Sequence, residues 1–211
     1  LPAELTRLFL EAEDFTFVEE IIQSIEKGSF KPSVIVPDMS WTYTDVLDKE
    51  DYPKGNHIEI KVNAQGNMDL AGLEADLKRK REILMGFPEI ADVYFKSILF
   101  VVNDPQNPTG KVLRDEEKLK ILDIASEYGL TIVTDEAYKC QVDTEIKEAQ
   151  GYPSFAEFYE RKRTNFPNHV TIHCVVPTTK WAMRAGGRTG VVVTNDKSEN
   201  NKGETLEEYI E

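Results

Sequence analysis

Short runs of apolar, mostly β-branched residues recur along the chain, and segments with helical periodicity separate them. Four continuous runs predict strands that are buried on both faces, at Ser97–Val102, Leu130–Thr134, Val170–Val176 and Gly190–Thr194. Two shorter strands are predicted at Val34–Val36 and at His57–Val62. Strands buried on both faces need helices on both sides, as in a parallel sheet. The sequence therefore predicts an α/β fold with three layers, α-β-α, around a mainly parallel sheet.

Four segments between these strands have helical periodicity, at Phe17–Lys27, Leu70–Arg81, Glu116–Tyr128 and Phe155–Arg161. Thr16 and Glu19 have the spacing of a capping box, which predicts that the first helix begins at Thr16. One face of the third helix carries Leu119, Leu122, Ala125 and Tyr128. Lys118 is predicted to lie off that face, and Gly129 is predicted to end the helix in the left-handed conformation.

The charge balance disfavours nucleic-acid partners. The 211 residues include 25 Lys and Arg against 38 Asp and Glu, a formal net charge of −13, and such a surface repels polyphosphates. No stretch approaches the ~18 apolar residues that predict a membrane span. Only two cysteines occur, Cys140 and Cys174, so we expect no disulfide framework and predict a reducing, cytoplasmic location.

The sequence predicts no metal site. The three histidines, His57, His169 and His173, show no ligand spacing. His173 falls within a predicted strand, and we interpret it as a hydrogen-bonded core residue. Carboxylates are frequent at 43–55 and 141–153, and both segments are predicted to be solvated loops.

Polar and charged residues cluster just after three of the predicted strands. These clusters are Asn107–Gly110, Asp135–Tyr138 and Thr178–Lys180, and Arg188 lies eight residues beyond Lys180. Ligands bind at the carboxyl edge of an open parallel sheet, so the clusters are candidates for one site. Each has an ordinary alternative when taken alone: a tight turn, a helix N-cap, a surface lysine and a solvated arginine.

The order and spacing of the clusters narrow these alternatives. PxNPTG at 105–110, DEAY at 135–138, TK at 179–180 and GxRxG at 186–190 occur in one order. This arrangement resembles fold type I pyridoxal-phosphate enzymes, and within them most closely the class I and II aminotransferases. Val34–Trp41 and Glu59–Leu77 extend the resemblance over nearly the whole chain. It implies pyridoxal 5'-phosphate as cofactor, an amino acid and a 2-oxo acid as substrates, and a homodimer.

The resemblance also implies roles for individual residues. Lys180 matches the lysine that binds the cofactor aldehyde covalently and later moves a proton as general acid and base. Asp135 matches the carboxylate that keeps the pyridine nitrogen protonated. Asn107 and Tyr138 match the donors to the phenolic oxygen of the ring. We therefore take Lys180, Asp135 and Tyr138 as the candidate catalytic residues.

Further cofactor contacts are implied for Arg188, Thr16, Thr178, Thr179 and Trp41. Arg188 matches the arginine that pairs with the phosphate, and Thr16 lies where a Gly-Ser/Thr pair usually begins a phosphate-binding helix. Trp41 matches the aromatic residue stacked on the ring, with a core tryptophan as the alternative. Two departures weaken the predicted phosphate site, because Phe15 replaces the glycine and Pro177 cannot donate a hydrogen bond.

The resemblance assigns residues 1–195 to a cofactor-binding large domain with an incomplete N-terminal part. Residues 196–211 are predicted to be a linker or the start of a helix leading to a small domain that this stretch does not contain. The function predicted on this basis is a pyridoxal-phosphate-dependent aminotransferase, or its large domain alone. Two alternatives stay open, another pyridoxal-phosphate enzyme on the same fold, such as a lyase or decarboxylase, and a catalytically incompetent truncated domain.

Overall fold

The computed structural model describes residues 12–40, 43–49, 52, 56–142, 152–177 and 190–196. Along the chain these form α1 (Ala12–Glu26), β1 (Val34–Pro37), α2 (Tyr43–Lys49), β2 (His57–Ile60), α3 (Leu70–Leu84), α4 (Pro88–Ser97), β3 (Leu99–Asn103), α5 (Asp115–Tyr128), β4 (Thr131–Asp135), α6 (Phe155–Lys162), β5 (Ile172–Pro177) and β6 (Gly190–Thr194). Short 3-10 helices follow β4 and α6, at Lys139–Gln141 and Arg163–Asn165.

The six strands form one sheet in the order β2-β1-β3-β4-β5-β6. The first five are parallel, and β6 runs antiparallel to β5. Each lies where the sequence predicts a strand, which confirms a mainly parallel α/β sheet flanked by helices. Because neighbouring strands are parallel and nearly in register, β3, β4 and β5 end at the same edge of the sheet, where we expect ligands.

The central strands form the floor of the hydrophobic core. Ile35, Phe100, Val102, Ile132 and Ile172 are fully buried, one or two from each of four adjacent strands. Apolar residues of α1, α3, α4, α5 and α6 pack with them in one continuous cluster. The helices thus cover the apolar side chains of the strands, as continuous apolar runs require. Close packing of this core holds the ends of the strands in fixed positions.

Helix α5 differs from its predicted pattern at one residue. Gly129 ends the helix with φ of 73°, which confirms the predicted left-handed C-terminus. The prediction that Lys118 lies off the buried face was wrong, because Lys118 is 1% exposed whereas Leu119 is only partly buried. The buried face is therefore turned by about one residue, and it includes a charged side chain.

Three other predictions need correction. Helix α1 begins by Ala12, so Thr16 lies inside it rather than at its start. Residues 43–49, predicted as loop, form the short helix α2, whose exposed and acidic sequence hides its periodicity. Val191, Val192 and Val193 of β6 were predicted to be buried on both faces but are 39–56% exposed, because β6 is the last strand of the described sheet.

Helix α4 has no counterpart in the sequence analysis. It begins with Pro88 at its first turn and buries Tyr94 and Phe95. Within the described ranges, no helix has both the length and the apolar character that crossing a membrane requires.

Candidate functional site

Strands β3 and β4 end side by side, and backbone and side-chain hydrogen bonds join their ends. Asn103 pairs in register with Asp135, and its Nδ2 donates to the Asp135 carbonyl oxygen over 3.0 Å. Oδ1 of Asn103 accepts from the backbone N–H of Asn107 over 2.6 Å. Asn103 is buried, so this bridge is shielded from water. It ties the loop after β3 to the end of β4.

The loop after β3 brings Asn107 to the segment after β4. Nδ2 of Asn107 lies 3.4 Å from the hydroxyl of Tyr138, to which it donates. Tyr138 follows Asp135 by three residues, in the turn between β4 and the 3-10 helix. The structure therefore places Asn107, Asp135 and Tyr138 together at the carboxyl edge of the sheet.

Both carboxylate oxygens of Asp135 accept hydrogen bonds. Oδ1 accepts from the backbone N–H of Ala137 over 3.0 Å, and Oδ2 accepts from the Tyr43 hydroxyl over 2.7 Å. Burial, followed by the charge of Asp135, raises the pKa of Tyr43 well above that of a free tyrosine. Tyr43 therefore keeps its proton and acts as a donor, orienting the carboxylate from the side of α2.

Tyr43 was missed by the sequence analysis. It lies two residues after Trp41, inside a segment predicted as a solvated loop. The only signal was its nearness to Trp41, because a contact between residues 92 positions apart leaves no periodicity in the sequence.

The loop that carries Asn107 is closed by its own backbone. The N–H of Gln106 donates to the carbonyl of Lys111, and the N–H of Gly110 donates to the carbonyl of Gln106, each over 2.7 Å. Nε2 of Gln106 donates to the carbonyl of Met39, just after β1. The loop contains cis peptide bonds before Pro105 and Pro108.

The turn at 63–67, which contains Gly66, packs against the same loop. Gly66 has φ of 79°, a conformation that glycine adopts without strain. A Cβ atom on Gly66 would lie 2.7 Å from Oγ1 of Thr109, 2.8 Å from Oε1 of Gln106 and 2.9 Å from Cβ of Lys111. The turn at 63–67 and the loop at 104–111 are therefore in direct contact, at a spacing that leaves no room for a side chain.

Glu136 anchors the other side of the site. Its carboxylate is 2% exposed; Oε1 accepts from the N–H of Phe155 over 2.7 Å, and Oε2 lies 3.2 Å from Nζ of Lys139. The first turn of α6 is thus bound to the residue that follows Asp135. This contact fixes the direction in which the chain leaves β4.

The remaining titratable groups of β5 have structural roles. Nδ1 of His173 lies 2.9 Å from Oγ1 of Thr194, and burial lowers the pKa of His173, in keeping with the predicted hydrogen-bonded histidine. Burial raises the pKa of the Cys174 thiol to about 12, which leaves it protonated and unreactive. Among the residues whose placement is described, no three His, Cys, Asp or Glu side chains form a metal-binding group.

Several predicted site residues, Trp41, Thr178, Thr179, Lys180 and Arg188, lie outside the described residues. The two residues that flank the segment 178–189, Pro177 and Gly190, are register partners at the ends of β5 and β6. Thr16 is the fifth residue of α1 and exposed, so the prediction that it offers the amides of a helix start was wrong. Phe15 lies in the same helix, half-buried.

Known proteins resemble this chain both in sequence and in fold. The family model for class I and II aminotransferases matches residues 20–209. A probable aspartate/prephenate aminotransferase of Aquifex aeolicus is 32% identical over a match that covers 57% of this chain and 40% of that protein.

Solved structures share the fold at low identity. An aminotransferase from Escherichia coli superposes with a TM-score of 0.58 at 19% identity, covering 88% of this chain and 39% of that one. A PLP-bound C-S lyase from Staphylococcus hominis has a TM-score of 0.56 at 14% identity, covering 79% of this chain and 36% of that one. The chain thus spans about two fifths of the length of these proteins.

Proposed function

The chain belongs to the family of class I and II aminotransferases, and we propose that it is the cofactor-binding part of a pyridoxal-phosphate-dependent aminotransferase. The proposed reaction transfers an amino group from an amino acid to a 2-oxo acid. The observation that carries this proposal is the convergence of Asn107, Asp135 and Tyr138 at the ends of two adjacent parallel strands.

The chemistry of these three side chains fits pyridoxal phosphate. A carboxylate oriented by two donors can hold a proton on a pyridine nitrogen, because the negative charge favours the cation. An amide and a phenol 3.4 Å apart can both donate to one oxygen on the far side of the ring. The cofactor, when bound, supplies the electron sink that weakens a bond at the amino acid Cα.

The residues of the chain then divide the work between holding charge and moving a proton. Asp135 holds the proton at the ring nitrogen, and Asn107 and Tyr138 hold the phenolic oxygen in its ionised form. Lys180 is proposed to bind the cofactor aldehyde through its amine, and to carry a proton to and from the substrate Cα once that amine is released.

The topology supports the proposed roles of Lys180 and Arg188. Lys180 follows Pro177 by three residues, a contour length of about 11 Å, and Arg188 precedes Gly190 by two. Pro177 and Gly190 are register partners, and β5 pairs with β4 up to Asp135. The segment between them therefore begins on β5, two residues beyond the register partner of Asp135, and ends on β6, one strand farther from β4. Phosphate contacts from Arg188, Thr178 and Thr179, and ring stacking by Trp41, are proposed on the resemblance alone.

The proposal for the whole protein extends beyond this chain. Residues 1–195 are proposed to be the large domain, and residues 196–211 to lead towards a small domain. A homodimer and a cytoplasmic location are proposed with it, the first from the family resemblance and the second from the scarcity of cysteine.

A lyase reaction is the second candidate, favoured by one observation: the C-S lyase neighbour superposes almost as well as the aminotransferase neighbour. The fold alone does not separate the two reactions. The products distinguish the two reactions, because amino-group transfer converts a 2-oxo acid into an amino acid, whereas cleavage of a carbon-sulfur bond releases ammonia and a thiol. A catalytically incompetent truncated domain remains the third candidate, because Phe15 and Pro177 each replace a residue that is expected to contact the cofactor phosphate.

Covalent labelling tests the proposal directly. The full chain is mixed with pyridoxal phosphate, reduced with borohydride and digested, and mass spectrometry locates the modified lysine. We expect a visible absorption band before reduction and the label on Lys180, with both lost in Lys180→Ala. Lys96→Ala is the matched control, because Lys96 lies on the exposed surface of α4 in a pair with Asp92. A missing band, or a label that persists elsewhere in Lys180→Ala, would contradict the proposal.

A further inference from the structure

A buried ion pair joins helix α5 to the start of the loop that carries Asn107. Lys118 on α5 is 1% exposed, and its Nζ lies 3.2 Å from Oδ2 of Asp104, which is 3% exposed. Asp104 is the only carboxylate within ion-pair distance of this ammonium in the described part of the chain. Lysine is almost never fully buried unless it is paired, so Asp104 accounts for the position of Lys118.

Two aromatic rings complete the surroundings of the ammonium. Nζ of Lys118 lies 4.6 Å from the ring centroid of Tyr152 and 5.7 Å from that of Phe158. Burial, and then the charge of Asp104, raises the pKa of Tyr152, so this ring remains a neutral phenol. The rings hold the ammonium by cation-π attraction, while Asp104 supplies the compensating charge.

Asp104 connects this ammonium to the loop that carries Asn107. Oδ1 of Asp104 accepts from the backbone N–H of Leu113 over 2.9 Å, which closes the loop 104–113 at its base. The backbone N–H of Asp104 donates to the carbonyl of Asp135 over 3.1 Å. Asp104 thus contacts α5 and the far end of the loop with its carboxylate, through Lys118 and Leu113, and the end of β4 with its backbone N–H.

An apolar side chain at position 118 would fill the helix interface without the cost of burying a charge. The ammonium, unlike an apolar group, attracts Oδ2 of Asp104 and so fixes the orientation of the carboxylate. In this orientation Oδ1 accepts from the N–H of Leu113. The loop 104–113 is also fixed by uncharged contacts of Gln106 with Lys111 and Met39, and by a second ion pair between Lys111 and Glu117 of α5. The side chains of that second pair are 13% and 14% exposed, whereas those of Lys118 and Asp104 are 2% and 4% exposed, so Lys118 and Asp104 form the more deeply buried charged anchor of this loop.

We propose that Lys118 is a positioning residue of the cofactor site, which acts through Asp104 to hold the loop 104–113 and, with it, Asn107. This inference rests on the proposed function for its consequence, cofactor binding, but not for its structural step. Lys118 touches none of the proposed cofactor contacts; its effect passes through the carboxylate it orients and the loop that this carboxylate closes.

Hydrogen exchange on the cofactor-free chain tests the structural step. In Lys118→Met we expect the amides of the loop 104–113, Leu113 in particular, to be accelerated about tenfold more than the amides of β1 and β2. Lys120→Met is the matched control, since Lys120 lies on the same helix, is 40% exposed and pairs with Glu74 on α3. Uniform acceleration over the sheet, or unchanged loop rates, would overturn the proposal.

A second variant covers the case in which Lys118→Met does not fold. Asp104→Asn keeps the volume and the oxygen that accepts from Leu113, but it removes the charge that Lys118 orients. We expect the same localised acceleration in the loop, and partial recovery in the double variant Asp104→Asn/Lys118→Met, where no buried charge is left unpaired. Loop rates in Asp104→Asn that match those of the unmodified chain would contradict the role of the pair.

Titration with pyridoxal phosphate tests the consequence. We expect Lys118→Met to bind about tenfold more weakly, as a displaced contact residue would cause, and Lys120→Met to bind normally. If the unmodified chain binds no cofactor, the proposed function fails, and the exchange experiment still decides whether Lys118 holds the loop. If the unmodified chain binds and Lys118→Met binds equally well, the positioning role fails alone.

Discussion

The Tyr43 hydroxyl donates a 2.7 Å hydrogen bond to the Asp135 carboxylate, and this contact joins α2 to the end of β4 across 92 positions of sequence. Together with the N–H of Ala137, it leaves each oxygen of Asp135 with one donor. A carboxylate oriented in this way needs no rearrangement before it meets a cationic ring nitrogen. Tyr43 thus belongs to the candidate site through its contact with Asp135.

Replacement of Tyr43 by phenylalanine removes this donor and little else. A hydrogen bond to a charged group contributes about 1.5–3 kcal/mol, so we expect Tyr43→Phe to lower the free energy of unfolding by roughly 1.5 kcal/mol. Cofactor affinity is expected to fall about tenfold, because Asp135 loses its orientation. Urea denaturation and absorbance titration measure the two effects.

Tyr52→Phe is the matched control for that experiment. Its hydroxyl donates to the carbonyl of Pro32, a neutral partner away from Asp135. We expect a loss of stability of about 1 kcal/mol and no change in cofactor affinity. Equal cofactor affinities in Tyr43→Phe and the unmodified chain would show that Asp135 does not depend on Tyr43.

The turn at Gly66 offers a purely steric test. Alanine there must adopt φ of 79° and place Cβ within 3 Å of Thr109, Gln106 and Lys111. We expect Gly66→Ala to cost about 2–4 kcal/mol in unfolding free energy, the sum of backbone strain and overpacking. Gly28→Ala isolates the strain, because Gly28 has φ of 64° and open space around it, and about 1–2 kcal/mol is expected there. Similar losses in both variants would mean that the loop yields to the added methyl group.

Much of this fold follows from the sequence because its strands are short, continuous and β-branched. Apolar and β-branched residues make up the strands Leu99–Asn103 and Thr131–Asp135, except for Asn103 and Asp135 at their carboxyl ends. The left-handed end of α5 follows from Gly129. The motifs after β3 and β4 also meet as predicted, since adjacent parallel strands bring their ends together.

Contacts between distant elements could not be predicted in this way. Lys118 has the spacing of the buried face that carries Ile121, Leu122 and Ala125, but a lysine is buried only where it has a partner. That partner, Asp104, lies in a loop whose path the sequence does not reveal. Tyr43 lies on a seven-residue helix that has no fully buried residue and is too short for an amphipathic pattern to show. In both cases a tertiary partner, rather than local preference, decides where the side chain lies.

Glu117 gives a prediction for acid conditions. Burial alone would raise its pKa, but hydrogen bonds from Lys111 and Arg114 outweigh that effect and lower it below 4.5. The folded state therefore favours the carboxylate, and its contribution to stability is present above about pH 4.5 and is lost as the pH falls through the folded pKa. We expect Glu117→Gln to lower the melting temperature by about 2–4 °C at pH 7, and this difference to shrink as the pH falls below 4.5 through the folded pKa. A difference that does not shrink as the pH falls would assign the effect to packing.

The buried pair of Lys118 and Asp104 gives a second prediction for pH, from a carboxyl whose pKa is raised rather than lowered. Burial raises the pKa of Asp104 despite the attraction of Lys118, so the folded state binds a proton more readily than the unfolded chain does. Removal of the ammonium in Lys118→Met raises that pKa further and leaves an uncompensated carboxylate, at a cost of about 3–5 kcal/mol at pH 8. Because protonation neutralises the carboxylate, the cost should shrink as the pH is lowered from 8 towards the raised pKa of Asp104. Urea denaturation at several pH values in this range measures the cost. Lys120→Met is the control, and we expect its small loss of stability to stay constant with pH. A cost for Lys118→Met that does not change with pH would show that lost packing, and not an unpaired buried charge, explains the loss of stability.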